Sequence, residues 1–320
     1  MKKQRLVWVD LAKAFVIILM IIGHVVPFKS TLYVLIFSFH MPFFFIISGY
    51  TSREVSTLKQ LLIYIKKLAK RILVPTILIT YLASLELIHS ISEVPLAFSQ
   101  ASKELFWGGA PPQNTHLSVE LIWFLIVFFF AKLLYEGLTI TFNEKSKFIL
   151  LLILAFSTYV FISRHFYLPF ALDLVPLASL YMCIGHILSL KRKAAERYYY
   201  VVMGFAFVYW TYMVELGTFI DMSNRNFTNQ WSLAVLETIA GTFVIMGLAK
   251  ACGNGRLISV FSLIGRHTLL IMFVHLLDMY SQWHLSLNIY SIAIIRVFVD
   301  VGITLAIVWI MQLIKRKVRE

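Results

Sequence analysis

Two histidines inside apolar segments pose the first chemical question. His24 lies in the run that starts near residue 7, and His40 lies in the next, FSFHMPFFFIISGY. The first run also carries Asp10 and Lys13 near its start. Ionisable side chains are costly in lipid, so within segments of spanning length each is a functional-site hypothesis by default. An imidazole there can take a proton from a hydroxyl as a general base, or carry a transferred group covalently on nitrogen. Asp10 and His24 are fourteen residues apart, which puts them within about 40° of one helix face but about 21 Å apart along the axis. That rise disfavours an Asp10–His24 dyad. The candidate catalytic set is His24, His40 and Asp10, with Asp10 in a structural or donor-side part and Lys13 as its i,i+3 partner.

Other residue groups suggest binding. Pro42 removes a backbone donor and frees the carbonyl of Ser38, which predicts a kink beside His40. The run YIKKLAKR ends at Arg71 and sets Lys67 and Arg71 at i,i+4, with Lys66 and Lys70 likewise. Such a cluster suits phosphate groups, or anionic lipid as an orientation signal. His116, Glu120 and Trp123 recur about once per turn near the start of a later apolar run, where an interfacial aromatic also belongs. Arg266 and His267 fall inside another run, and His275 falls near its far end. Arg296 and Asp300, at i,i+4, can satisfy each other. The histidines do not share a helix face with a carboxylate in a ligand motif, so no metal is expected.

The elements that must position these residues are membrane helices. The chain has 320 residues, 60% hydrophobic and only 14% charged, against about a quarter charged in soluble domains. Apolar runs of spanning length fall near 7–28, 32–51, 72–91, 118–136, 148–163, 170–189, 198–217, 231–250, 257–277 and 291–314. The expectation is therefore an all-α, polytopic membrane protein with about ten transmembrane helices in a single domain over 1–320. If the N-terminus is inside, the cytoplasmic segments hold 21 basic residues and the outer loops four. The positive-inside rule then places both termini in the cytoplasm. The same rule accounts for the net charge of +13 without nucleic acid, for which no basic solvent-exposed module is left over. The first run is too long, and too rich in ionisable groups, for a cleaved signal, so a retained first helix is expected. Cys183 and Cys252 fall toward the cytoplasmic half and give no disulfide framework. No internal repeat is evident.

Taken together in order, several motifs resemble the membrane-bound acyltransferase 3 family, in the branch that includes fucose O-acetylase-like proteins. They are Arg5, Asp10 and Lys13 before Gly23-His24; Phe39-His40-Met41-Pro42-Phe43-Phe44 and Ser48-Gly49-Tyr50; the basic run to Arg71 before Pro75; Trp123-Phe124-Leu125; and Gly265-Arg266-His267-Thr268 followed by His275. The resemblance implies acyl transfer, usually of acetyl, from cytoplasmic acetyl-CoA to a hydroxyl of a cell-surface polysaccharide or its lipid-linked precursor. It makes His24 the essential histidine and assigns the CoA phosphates to Lys67 and Arg71, beside Lys70. Glu120, Trp123, His275 and Arg266 become candidates for the acceptor sugar. The expected partners are the glycan or lipid-linked sugar and membrane lipids, in a bacterial plasma membrane, with the oligomeric state open. The competing reading is a transporter or flippase of a lipid-linked sugar, since intramembrane His, Arg and Asp also suit a substrate path. The lack of an inverted repeat counts against it.

Overall fold

The computed structural model describes residues 5–52, 55–85, 91–109, 122–162, 167–191, 198–228, 230–253, 255–279 and 286–317. Their chain is helical, apart from one hairpin of two-residue strands, β1 (Ile220–Asp221) and β2 (Asn226–Phe227). Among the described residues, five helices are long and apolar enough to cross a membrane: Thr31–Tyr50, Ile122–Thr141, Pro169–Leu190, Trp231–Ala251 and Ile289–Lys317. The bent pair Arg256–Arg266 with Thr268–Met279 is long and apolar enough only when its two halves are taken together. The chain is thus an all-α membrane protein. The full count of ten spans and the cytoplasmic ends belong to the topology proposed below.

The chain divides into two compact units. One comprises residues 1–40, 200–219 and 236–320. In it, α1 (Val7–Gly23) is followed by α2 (Thr31–Phe37), whose N-cap Ser30 accepts the Tyr33 amide. The second comprises residues 41–199 and 220–235. It holds most of α3 (His40–Tyr50), then α4 (Leu58–Arg71), α5 (Leu73–Ser84), α6 (Val94–Trp107), α7 (Ile122–Thr141), α8 (Glu144–Ile162) and α9 (Val175–Leu190). Helix α10 (Tyr199–Glu215) lies almost wholly in the first unit, as does most of α11 (Trp231–Ala251). The last three helices, α12 (Arg256–Arg266), α13 (Thr268–Met279) and α14 (Ile289–Lys317), complete it.

In the first unit α1 packs on α12, α13 and α14. The approach to α12 is so close that a Cβ at Gly265 would overlap the Asp10 carbonyl. In the second unit α9 packs on α7 and α8. There the 3-10 turn Pro169–Leu174 leads into α9, with Phe170 and Ala171 at positive φ. The buried Arg225–Asp173 pair, with Arg225 also over the Tyr167 ring, holds that turn to the hairpin. Large apolar side chains such as Phe205, Phe298 and Trp309 point outward, as lipid-facing surfaces do.

Two expected elements differ in form. The basic run before residue 72 is not a loop: it is the last part of α4, an amphipathic helix that ends at a break at Ile72. The expected straight span at 257–277 is two helices that meet at 68° around His267. Arg256, Ser259, Ser262 and Arg266 recur at three- and four-residue spacing along α12. That polar stripe makes α12 amphipathic, whereas α13 is apolar throughout most of its length. A single straight rod could not give both halves the solvent they need.

Candidate functional site

The first unit gathers three histidines. His24 caps the C-terminus of α1 and is half-buried. Its ring lies 5.6 Å, centroid to centroid, from the ring of His275 on α13. The Phe37 ring stands edge-on to it at 5.9 Å and also meets the His40 ring, at 4.7 Å. α2 therefore supplies one aromatic ring that touches both histidines singled out by sequence. The predicted interruption beside His40 is present, because α2 ends at Phe37 and α3 begins at His40. The freed carbonyl of Ser38 accepts a hydrogen bond from Thr238 Oγ1 at 2.8 Å, and Ser38 Oγ accepts from Trp210 Nε1 at 2.7 Å. His40 Nδ1 donates to the Ile36 carbonyl at 2.9 Å, which fixes its tautomer.

His275 has a partner that sequence reading missed. Its Nδ1 donates to Asp300 Oδ2 at 2.8 Å, and both side chains are fully buried. The Arg296 charge acts on Asp300 as the i,i+4 spacing suggests, and two contacts across α13 and α14 are added to it. Asp300 takes His275, and Arg296 Nε lies 3.5 Å from Asp278 Oδ2. Spacing within one helix could not reveal this, because the partners come from the neighbouring helix. Contrary to the expectation that no histidine shares a helix face with a carboxylate, His275 and Asp278 do so at i,i+3 on α13. With Asp300 they offer atoms within 4.8 Å of one another, near enough to share one cation.

Asp10 sits at the other end of α1, as helix rise requires. It is 3% exposed and lies among three cations: Arg5, Lys13 at 3.4 Å and Arg266 at 3.7 Å. Its carboxylate accepts a hydrogen bond from Arg5, and that bond raises the guanidinium pKa. Arg266 is thus grouped with Asp10, apart from His275.

The remaining candidates lie in the second unit. Lys67, Lys70 and Arg71 are exposed on α4, whose buried Leu61 and Leu68 turn inward. α4 packs on α5 and α7. Trp123 is buried in α7, edge-on to Phe124. Glu120 lies outside the described residues. Sequence reading passed over a buried polar group in this unit. Lys132 Nζ donates to Ser52 Oγ at 2.8 Å and to Glu136 Oε1 at 3.1 Å, and Ser52 donates to Glu136 at 2.6 Å. The signal was there: a Lys–Glu pair at i,i+4 within an apolar span.

A family model described as an acyltransferase domain matches residues 6–314, nearly the whole chain. No curated protein and no solved structure matches it.

Proposed function

The chain belongs to the acyltransferase 3 family of acyltransferase domains, and from that premise we propose that it is an integral-membrane O-acetyltransferase of a cell-surface polysaccharide or its lipid-linked precursor. Acetyl-CoA is the donor. The observation that carries this reading is the half-buried His24 at the end of α1, with His275 beside it and the Phe37 ring in contact with both His24 and His40. Residues of this type in a largely apolar bundle suit proton transfer from an alcohol better than they suit packing.

In the proposed topology both ends of the chain are cytoplasmic. Asp10 then lies on the inner side and His24 in the outer half. The exposed Lys67, Lys70 and Arg71 of α4 bind the donor's phosphates from the cytoplasm, as charge-assisted donors do. The acceptor hydroxyl comes from outside, where Glu120 and Trp123 are proposed to contact the sugar. His24 takes the hydroxyl proton as the oxygen attacks the thioester carbonyl. The tetrahedral adduct collapses, the C–S bond breaks, and the leaving thiolate recovers the proton from the imidazolium. The covalent variant reaches the same products in two steps. A lone-pair nitrogen of His24 attacks the thioester carbonyl, and the C–S bond breaks to release the thiolate. The sugar oxygen then attacks the acetyl carbon, the C–N bond to the imidazole breaks, and the hydroxyl proton ends on the thiolate.

Labelled acetyl-CoA supplied to membranes that contain the protein tests this. Label should enter the glycan, and His24→Ala should lower kcat by about a hundredfold or more. Arg71→Ala should raise the donor KM with a smaller change in kcat. Normal labelling by His24→Ala would falsify the catalytic assignment. Loss of glycan export with unchanged acetylation, on deleting the protein, would favour a flippase instead. An acetyl adduct on the His24 peptide after acid quench separates the covalent route from direct transfer.

A further inference from the structure

His275 and Asp300 have no part in the transfer as derived so far, yet they form the most thoroughly buried ionisable contact in the first unit. Both side chains are completely inaccessible. His275 Nδ1 and Asp300 Oδ2 are 2.8 Å apart; with Asp300 ionised its oxygen only accepts, so Nδ1 donates and Nε2 carries the lone pair. That Nε2 has no hydrogen-bond partner among the described residues. A buried polar atom left unpaired is destabilising, so it calls for a donor. The adjacent polar ring is that of His24, at 5.6 Å.

An imidazole–imidazole hydrogen bond of ordinary length puts ring centroids roughly 5 Å apart. The observed spacing exceeds this by a few tenths of an ångström, which a small ring rotation of His24 closes. Catalytic hydrogen bonds commonly tighten in this way only when substrate is bound. The charges are those of one cluster. Arg296 Nε lies 3.5 Å from Asp278 Oδ2, and the Arg296 charge also acts on Asp300 and His275. Asp300 is hydrogen-bonded to His275, so charge that forms on the histidines has a carboxylate at hand.

We infer that Asp300 and His275 are positioning residues for His24, linked as Asp300–His275–His24 and resting on the reading of His24 as the reacting group. Asp300 holds the Nδ1 proton of His275, and His275 Nε2 accepts a proton-bearing nitrogen of His24. The other nitrogen of His24 is thereby left with its lone pair toward the acceptor hydroxyl. When His24 takes the hydroxyl proton, the charge on its ring is shared through His275 toward the Asp300 carboxylate. When the thiolate takes that proton back, the chain returns to its starting state. No bond to His275 or Asp300 is made or broken. This is the logic of a base oriented by a buried carboxylate, with a second imidazole interposed. His275 is then not an acceptor-binding residue.

The test uses the full chain in membranes with labelled acetyl-CoA and the glycan acceptor. Asp300→Asn and His275→Gln should each lower kcat by about a hundredfold while both KM values stay within twofold. Asp300→Glu should recover part of the loss, and added imidazole should restore His275→Ala. A spectroscopic readout needs no variant to be active. In protein labelled with nitrogen-15 histidine, His275 should be the neutral Nδ1–H tautomer with its Nε2 as acceptor. An Nε2–H tautomer at His275 overturns the inference, whatever the variants do. So does wild-type kcat in Asp300→Asn and His275→Gln when His24→Ala is inactive. Activity in His24→Ala instead overturns the reading of His24 itself, so the two failures are distinct.

Discussion

At the scale of single residues, the chain shows how a helix break is tolerated within an apolar bundle. Pro42 cannot donate to the Ser38 carbonyl, and no water is at hand to do so. Thr238 supplies the missing donor from α11 at 2.8 Å, and Trp210 on α10 donates to the hydroxyl of the same serine. One residue, Ser38, thus joins three helices at the point where α2 gives way to the helix bearing His40. Thr238→Val keeps the shape and removes the donor, leaving a buried carbonyl unpaired. The expected cost is about 1–3 kcal/mol, read as a lower midpoint in thermal unfolding of the purified protein. Thr139→Val offers a comparison, since the Thr139 hydroxyl sits in its own helix and donates back to Tyr135. Its cost should be smaller, although it also removes an acceptor from Lys147.

At the scale of elements, much was legible and some was not, and the reason is periodicity. Apolar runs mark where helices lie because lipid demands apolar side chains and satisfied backbone at once. Hence helices carry His40 and Trp123 and lead into His24, although α1 is shorter than its run and α7 extends to Thr141, beyond the expected end. The bend at His267 and the amphipathic character of α4 were hidden inside runs that average as one span or one charged loop. Pairings between helices were hidden as well. His275 with Asp300 and Arg296 with Asp278 are contacts that no single-helix spacing encodes. Close helix crossings sit between these cases, because a glycine such as Gly49 permits contact without saying which helix it meets. The answer is α9, and the contact is reciprocal. A Cβ at Gly49 would overlap the Met182 carbonyl, and one at Gly185 would overlap the Ile46 carbonyl. Small residues let backbones approach in this way where no hydrophobic drive between helices exists. Gly185→Ala should therefore lower the thermal midpoint clearly. Gly137→Ala, in a helix with nothing within 4 Å of the new methyl, should be neutral or raise stability by up to about 1 kcal/mol. Equal effects at the two positions would refute the close-crossing account.

At the scale of the whole molecule, the distribution of charge has to do two jobs. It must orient the chain in the membrane, and in the proposed function it must also bind a polyanionic donor on one side only. Cationic groups at Arg5, Lys13 and Arg266 surround one buried carboxylate, and Lys67, Lys70 and Arg71 are exposed on α4. If the positive-inside rule orients the chain, all of these face the cytoplasm, where acyl-CoA is found. The two native cysteines turn this into a measurement, since Cys183 is buried and Cys252 is exposed. A membrane-impermeant maleimide added to intact cells should leave the protein unlabelled, because the proposed topology puts Cys252, after α11, on the inner side and Cys183 is buried. Permeabilising the cells should then label Cys252 alone. Lys29→Cys, in the exposed turn between α1 and α2 that follows His24, should be labelled in intact cells. Labelling of native Cys252 from outside would invert the topology. It would put His24 on the inner side and Lys67 and Arg71 on the outer, which leaves a cytoplasmic donor no basic surface to meet.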